Sequence, residues 1–149
     1  MIRNLLLFSL SMVLLTGCTK FLQPAEDRLV GSWTLAYAEK QRLFSTTTIY
    51  TGYENGVFYF YDNGEAIFDD GQIQMRGSWQ LRLVNGGYYD ANGNWQNGTH
   101  QVFVLHLVNF QYNQVLHWEF DDSYFTSNRR FVARYQSYSY DYKYVFNRY

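Results

Sequence analysis

The sequence predicts an all-β domain: an antiparallel up-and-down meander of eight to ten short strands, closed into a β-barrel. Three observations carry that expectation. Apolar and polar residues alternate at period two, most cleanly from Gln72 to Leu83, where Ile73, Met75, Trp79, Leu81 and Leu83 interleave with Gln74, Arg76, Ser78, Gln80 and Arg82. Turn dipeptides separate the runs, as at Asn55-Gly56 and Asn63-Gly64. Aromatic residues make up 21% of the chain and proline occurs once, at Pro24, a composition that suits half-buried pleated surfaces and not disorder.

The first element is not part of that sheet. Arg3 precedes an apolar run, Leu5 to Leu15, interrupted by two serines. Its length suits a signal-peptide core and falls short of the ~20 apolar residues that a transmembrane helix needs. Thr16 and Gly17 are small, and Cys18 is the chain's single cysteine, so no intramolecular disulfide can form. Leu15-Thr16-Gly17-Cys18 resembles the lipobox of bacterial lipoproteins. The resemblance implies that residues 1–17 are a cleaved signal peptide, that Cys18 is lipidated, and that residues 18–28 tether the domain to a membrane. It also implies a cell-envelope location, with Thr19 in place of a retention aspartate favouring the outer membrane over the inner. Two or three acyl chains, at ~0.8 kcal/mol per buried CH₂, hold a protein on a bilayer without a membrane-crossing helix.

Cleavage leaves 132 residues, 149 less 17, which is a single-domain length. Without Arg3 the balance is 11 basic against 13 acidic side chains. That excludes the concentrated basic face a nucleic-acid partner requires.

From the tether onward the elements follow in order. Pro24 ahead of Ala25-Glu26-Asp27 predicts one helical turn with proline at its first position. Trp33, Leu35 and Tyr37 alternate along a first strand, and the β-branched 46–53 predict a second. Phe58 and Phe60 share one face of a third, which returns through Asp62-Asn63-Gly64, read as a type I′ turn, so that Ala66 and Phe68 lie on the same side. Gly77 interrupts the long Gln72–Leu83 run where a bend or bulge is expected. Residues 85–99, dense in Asn and Gly, read as the one long loop. Gln101–Phe110 and Gln114–Asp121 form a hairpin with Leu116, Trp118 and Phe120 inward. Tyr124–Tyr135 and Tyr142–Tyr149 complete the set. Closing the meander removes its exposed edges, and a flattened sandwich is the alternative.

Gly31-Ser32-Trp33 on the first strand and Phe146-Asn147-Arg148 on the last resemble a lipocalin-like domain, similar to small lipocalin-like lipoproteins of the Bacteroidetes. The resemblance spans residues 29–149 and implies that Trp33 closes one end of the barrel with Arg148 packed across it. The chain lacks the Thr-Asp-Tyr motif and C-terminal helix of many lipocalins, so the resemblance bears on the barrel more than on the ligand.

Catalytic and metal-binding patterns are not found. Asp90-Ala91-Asn92-Gly93-Asn94 opens like a calcium loop, but Trp95 stands where the glycine is needed and Gln101 where the bidentate glutamate belongs. His100, His106 and His117 have no helical metal spacing and no sulfur or clustered carboxylate partners. There is no Gly-x-Ser-x-Gly, and the pairs Asp69-Asp70 and Asp121-Asp122 read as solvated strand ends. The expectation is therefore no enzyme, no metal and no cofactor. What remains is binding of a small apolar or aromatic ligand inside the barrel, lined by Phe58, Phe60, Phe68, Met75, Trp79, Leu81, Leu105, Trp118, Phe120 and Phe131. The alternative is that these side chains fill the interior. In that case outward tyrosines (Tyr59, Tyr61, Tyr88, Tyr89, Tyr138, Tyr140) would meet a protein partner.

Overall fold

A computed structural model describes residues 24–149 except 43, 91 and 138. The signal segment, Cys18 and most of the tether lie outside the described residues, as does Tyr138. The rest is antiparallel β-structure with one short helix. Helix α1 (Ala25–Leu29) is followed by β1 (Gly31–Arg42), β2 (Ser45–Ile49), β3 (Val57–Phe60), β4 (Glu65–Asp69) and β5 (Gln74–Tyr89). Strands β6 (Trp95–Asn109), β7 (Gln114–Phe120), β8 (Asp122–Ser127), β9 (Arg130–Ser137) and β10 (Tyr140–Arg148) complete it.

Nine strands run in the order β7-β6-β5-β4-β3-β1-β10-β9-β8, and β2 adds to β1 beside β3. Every pairing is antiparallel. Strands β3 to β7 are a plain meander, as are β8 to β10, and β1 joins the two blocks. Among the described residues no ladder joins β7 to β8, so the sheet is open there. Asp121 is the only residue between those two strands. Across the gap, the Ser123 hydroxyl of β8 donates to the Gln101 carbonyl of β6 at 2.9 Å.

Five sequence-based expectations are corrected. The return at Asp62-Asn63-Gly64 is a three-residue loop, with Tyr61 N–H donating to Glu65 O at 2.9 Å and Gly64 N–H to Tyr61 O at 3.1 Å. Only Gly64 has positive φ (+81°), whereas a type I′ turn needs it at two positions. The supposed loop 85–99 is instead the far half of a long β5–β6 hairpin, paired out to Tyr88↔Gln96 and Tyr89↔Trp95. Tyr124–Tyr135 is two strands, turning at Asn128-Arg129 where no glycine or proline signals it. Strand 46–53 stops at Ile49. Beyond it Glu54 gathers the main-chain N–H groups of Thr51 (2.6 Å) and Gly52 (2.9 Å) into a loop. Pro24 also sits one place earlier than expected, capping α1.

Gly77 answers to close approach. A Cβ built there would collide with the His106 carbonyl of the paired β6 strand. The inward series Met75, Trp79 and Leu81 therefore continues past it without a side chain at that level.

Candidate functional site

The interior is where a ligand was expected, so its packing comes first. Register places Phe58 opposite Phe68, Phe60 opposite Ala66, Leu105 opposite Trp79 and Trp118, and Phe103 opposite Phe120. Since side chains alternate across a strand, these rows all point to one side. All ten expected lining residues join one core cluster. Nine are buried and Trp118 is half-buried against it. They meet ring on ring: Phe58 lies 4.8 Å from Phe68 and 5.8 Å from Phe146. Phe103, 0% exposed, touches Phe60 (5.8 Å), Phe120 (5.8 Å), Phe131 (5.3 Å) and Phe146 (6.5 Å). Tyr53, carried in by the loop after β2, covers Phe68 and Trp118 at 5.1 and 5.4 Å. Of the ten residues, Trp79 and Leu81 border a cleft of about 310 Å³, and none borders the two larger clefts.

Helix α1 lies at the Trp33 end, with Leu29 buried in the core. Trp33 and Arg148 are cross-strand partners, and the Arg148 guanidinium sits 4.9 Å from the indole centroid. Its Nη2 donates to the carbonyls of Arg28 (2.7 Å) and Val30 (3.1 Å), and Trp33 Nε1 donates to Leu29 O (2.7 Å). The α1 carbonyls left unpaired by helix geometry are thus met by two side chains from the sheet. At the other end Tyr144 is held neutral: burial raises its pKa strongly, and the neighbouring Tyr135 and Tyr142 add to the shift.

A cleft of about 430 Å³ is lined in part by two of the outward tyrosines, Tyr88 and Tyr89. It lies between the β5–β6 arm and residues of β7, β8, β9 and β10. The arm contributes Arg82, Val84, Tyr88, Trp95, His100 and Val102. The other wall holds Glu119, Asp121, Asp122, Arg134, Tyr135 and Asp141. The arm is stiffened locally. Asp90 accepts main-chain N–H groups from Asn92 (2.8 Å) and Asn94 (3.0 Å), which lower its pKa. Tyr89 packs edge-on to Trp95 at 4.9 Å, and Tyr88 stacks on His100 at 4.5 Å. Trp95 lies where a Cβ at position 87 would stand, so Gly87 makes room for it.

Opposite, Arg134 is 5% exposed, ion-paired with Asp141 and cross-strand to Asp122. Sequence reading set Asp122 among solvated turn residues. In the structure it is half-buried, and burial raises its pKa against the opposing pull of Arg134 and His100. A carboxyl with a higher pKa folded than unfolded favours the fold while protonated. That contribution is lost as pH rises through the folded value. Asp122→Asn is therefore expected to melt above the wild type at pH 7 and together with it at pH 3, where both side chains are neutral. A lower melting point at pH 7 would mean that attraction to Arg134 outweighs burial.

His106 and His117 are cross-strand partners with ring centroids 5.8 Å apart. Among the described residues no group of three His, Cys, Asp or Glu could hold a metal ion.

The chain matches no protein-family model, no curated protein and no solved structure. What can be said of function therefore rests on this geometry. The cleft joins aromatic faces to four carboxylates, two arginines and a histidine on a surface that is half strand and half arm. That arrangement can grip a polar or charged group. None of the described contacts sets a nucleophile beside a base. Sequence marks Tyr88 and Tyr89 as outward tyrosines and Asp121-Asp122 as a solvated strand end, and nothing local brings them to Arg134, which is 5% exposed.

Proposed function

We propose that this chain is a lipid-anchored cell-envelope protein of lipocalin-like shape, non-catalytic, whose interior is its own core and whose binding is done on the outside. One observation carries the reading: the side chains expected to line a ligand chamber are packed ring against ring, with Phe103 at their centre. An eight-stranded barrel is wide enough to be filled by side chains or to hold one small ligand, and bulky aromatics favour filling. Barrel closure belongs to the same proposal. It is supported by the single residue between β7 and β8 and by the Ser123–Gln101 bond across the gap. Trp33 and Arg148 then serve as the plug at one end. The cleft under the arm is the binding surface, fitted to a polypeptide partner that brings charge as well as apolar contact. The diacylated Cys18 holds it at the membrane, with the outer membrane favoured. No helix among the described residues is long and apolar enough to cross a membrane.

Intact-mass measurement of protein from its own host tests both halves. The expected mass is that of residues 18–149 plus acyl groups, with no retained small molecule under native conditions. Cys18→Ser is expected to lose the acyl mass and the membrane association. A stoichiometric apolar compound retained by the native protein overturns the filled interior. An unmodified Cys18 overturns the anchor.

A further inference from the structure

Strand β2 pairs only with β1, and its other edge is open among the described residues. Open edges present unpaired N–H and C=O groups, and proteins commonly guard them with charge, proline or a bulge. Here Ser45–Ile49 reads Ser-Thr-Thr-Thr-Ile, uncharged and without proline, and Thr46, Thr47 and Thr48 are exposed. Two large rings stand at its ends in solvent, Phe44 at 100% and Tyr50 at 77% exposure. Each lies three residues from Thr47.

We propose that the open edge of β2 pairs with β2 of a second copy of this chain, antiparallel and two-fold about Thr47. That register sets Thr46 opposite Thr48 of the second copy and Phe44 opposite its Tyr50, each twice by symmetry. In an antiparallel ladder alternate residues turn their main chain to one edge. Pairing about a residue matches that alternate set with itself, so the hydrogen bonds fall in register. The two exposed rings become cross-strand aromatic pairs, a favoured combination. No like charges are brought opposite each other in the strand. A symmetric interface needs one self-complementary patch, and this edge supplies it. A five-residue edge and two rings per copy cover less than the roughly 800 Å² a side of a standard interface, so the dimer is weak and dilution separates it.

Sedimentation velocity of the purified full chain across a concentration series tests the register directly. The wild type is expected to shift from monomer to dimer as concentration rises. Thr46→Lys with Thr48→Lys puts like charges opposite each other twice and is expected to raise the dissociation constant about tenfold or more. Thr46→Lys with Thr48→Glu faces each lysine with a glutamate of the second copy and is expected to restore association in a salt-sensitive way. Near-UV circular dichroism checks that each exposed-site variant keeps its fold. A wild type monomeric up to millimolar concentration overturns the proposal. So does a Lys/Glu variant that associates no better than the Lys/Lys one.

Discussion

Phe103→Ala is expected to destabilise the domain by about 3–5 kcal/mol, the range for removing a buried phenylalanine when its neighbours cannot collapse into the space. Phe103 is fully buried and its ring meets four other phenylalanines drawn from β3, β7, β9 and β10. Those strands are fixed by their own ladders, so relaxation is restricted. Against a total stability of roughly 5–15 kcal/mol the loss is large, and at about 3–5 °C per kcal/mol it lowers the melting temperature by ~10–20 °C. Urea unfolding measures it. Phe110, 91% exposed, supplies the control: Phe110→Ala is expected to stay within about 0.5 kcal/mol of the wild type. The space left by Phe103 is lined by rings and should stay dry, so benzene is expected to bind there and return part of the lost stability. A loss under ~1 kcal/mol would show that the interior already has room, and ligand binding among the inward aromatics would again be the better reading.

Arg148→Ala is the second large effect, expected at about 2–4 kcal/mol. The guanidinium makes three contacts at once: the indole of Trp33 and the carbonyls of Arg28 and Val30. An arginine over an indole contributes ~0.5–2 kcal/mol, and a hydrogen bond from a charged donor ~1.5–3 kcal/mol. One side chain makes them all, so the values do not add in full. Its Nε is buried with no hydrogen-bond partner among the described residues, which offsets some of the gain. Arg148→Lys is expected to recover only part, since an ammonium lacks the planar guanidinium that lies over the Trp33 indole while its Nη2 donates to both carbonyls. Loss of the contact should undock α1 before the sheet opens. Hydrogen exchange therefore distinguishes the role: the Val30 amide, which donates to Glu26 O, is expected to lose protection while β5 and β6 amides keep theirs. Unchanged Val30 protection in Arg148→Ala would sink the plug.

The parts legible in the sequence are those where local pattern and final burial agree. Met75, Trp79 and Leu81 alternate in sequence and all three are buried on one face. Phe58 and Phe68 oppose each other because a short loop joins their strands. The failures have equally local causes. Ser127-Asn128-Arg129 turns without glycine or proline, the Ser127 hydroxyl accepting from Arg129 N–H at 3.2 Å, so β8 and β9 read as one strand. Asn and Gly weaken strand propensity, yet residues 85–89 stay paired with 95–99, where Tyr89 packs on Trp95. Tyr53 entered no expectation, since a loop and not a strand delivers it to the core.

Sequence by itself determined the period-two alternation and the antiparallel order of neighbours, because side-chain direction in a strand depends only on parity. Tertiary structure alone decided whether those inward aromatics enclose space or fill it, where the β5–β6 arm comes to rest, and which acidic residues meet the buried Arg134. Those outcomes depend on distances between strands far apart in the chain, which no local spacing encodes.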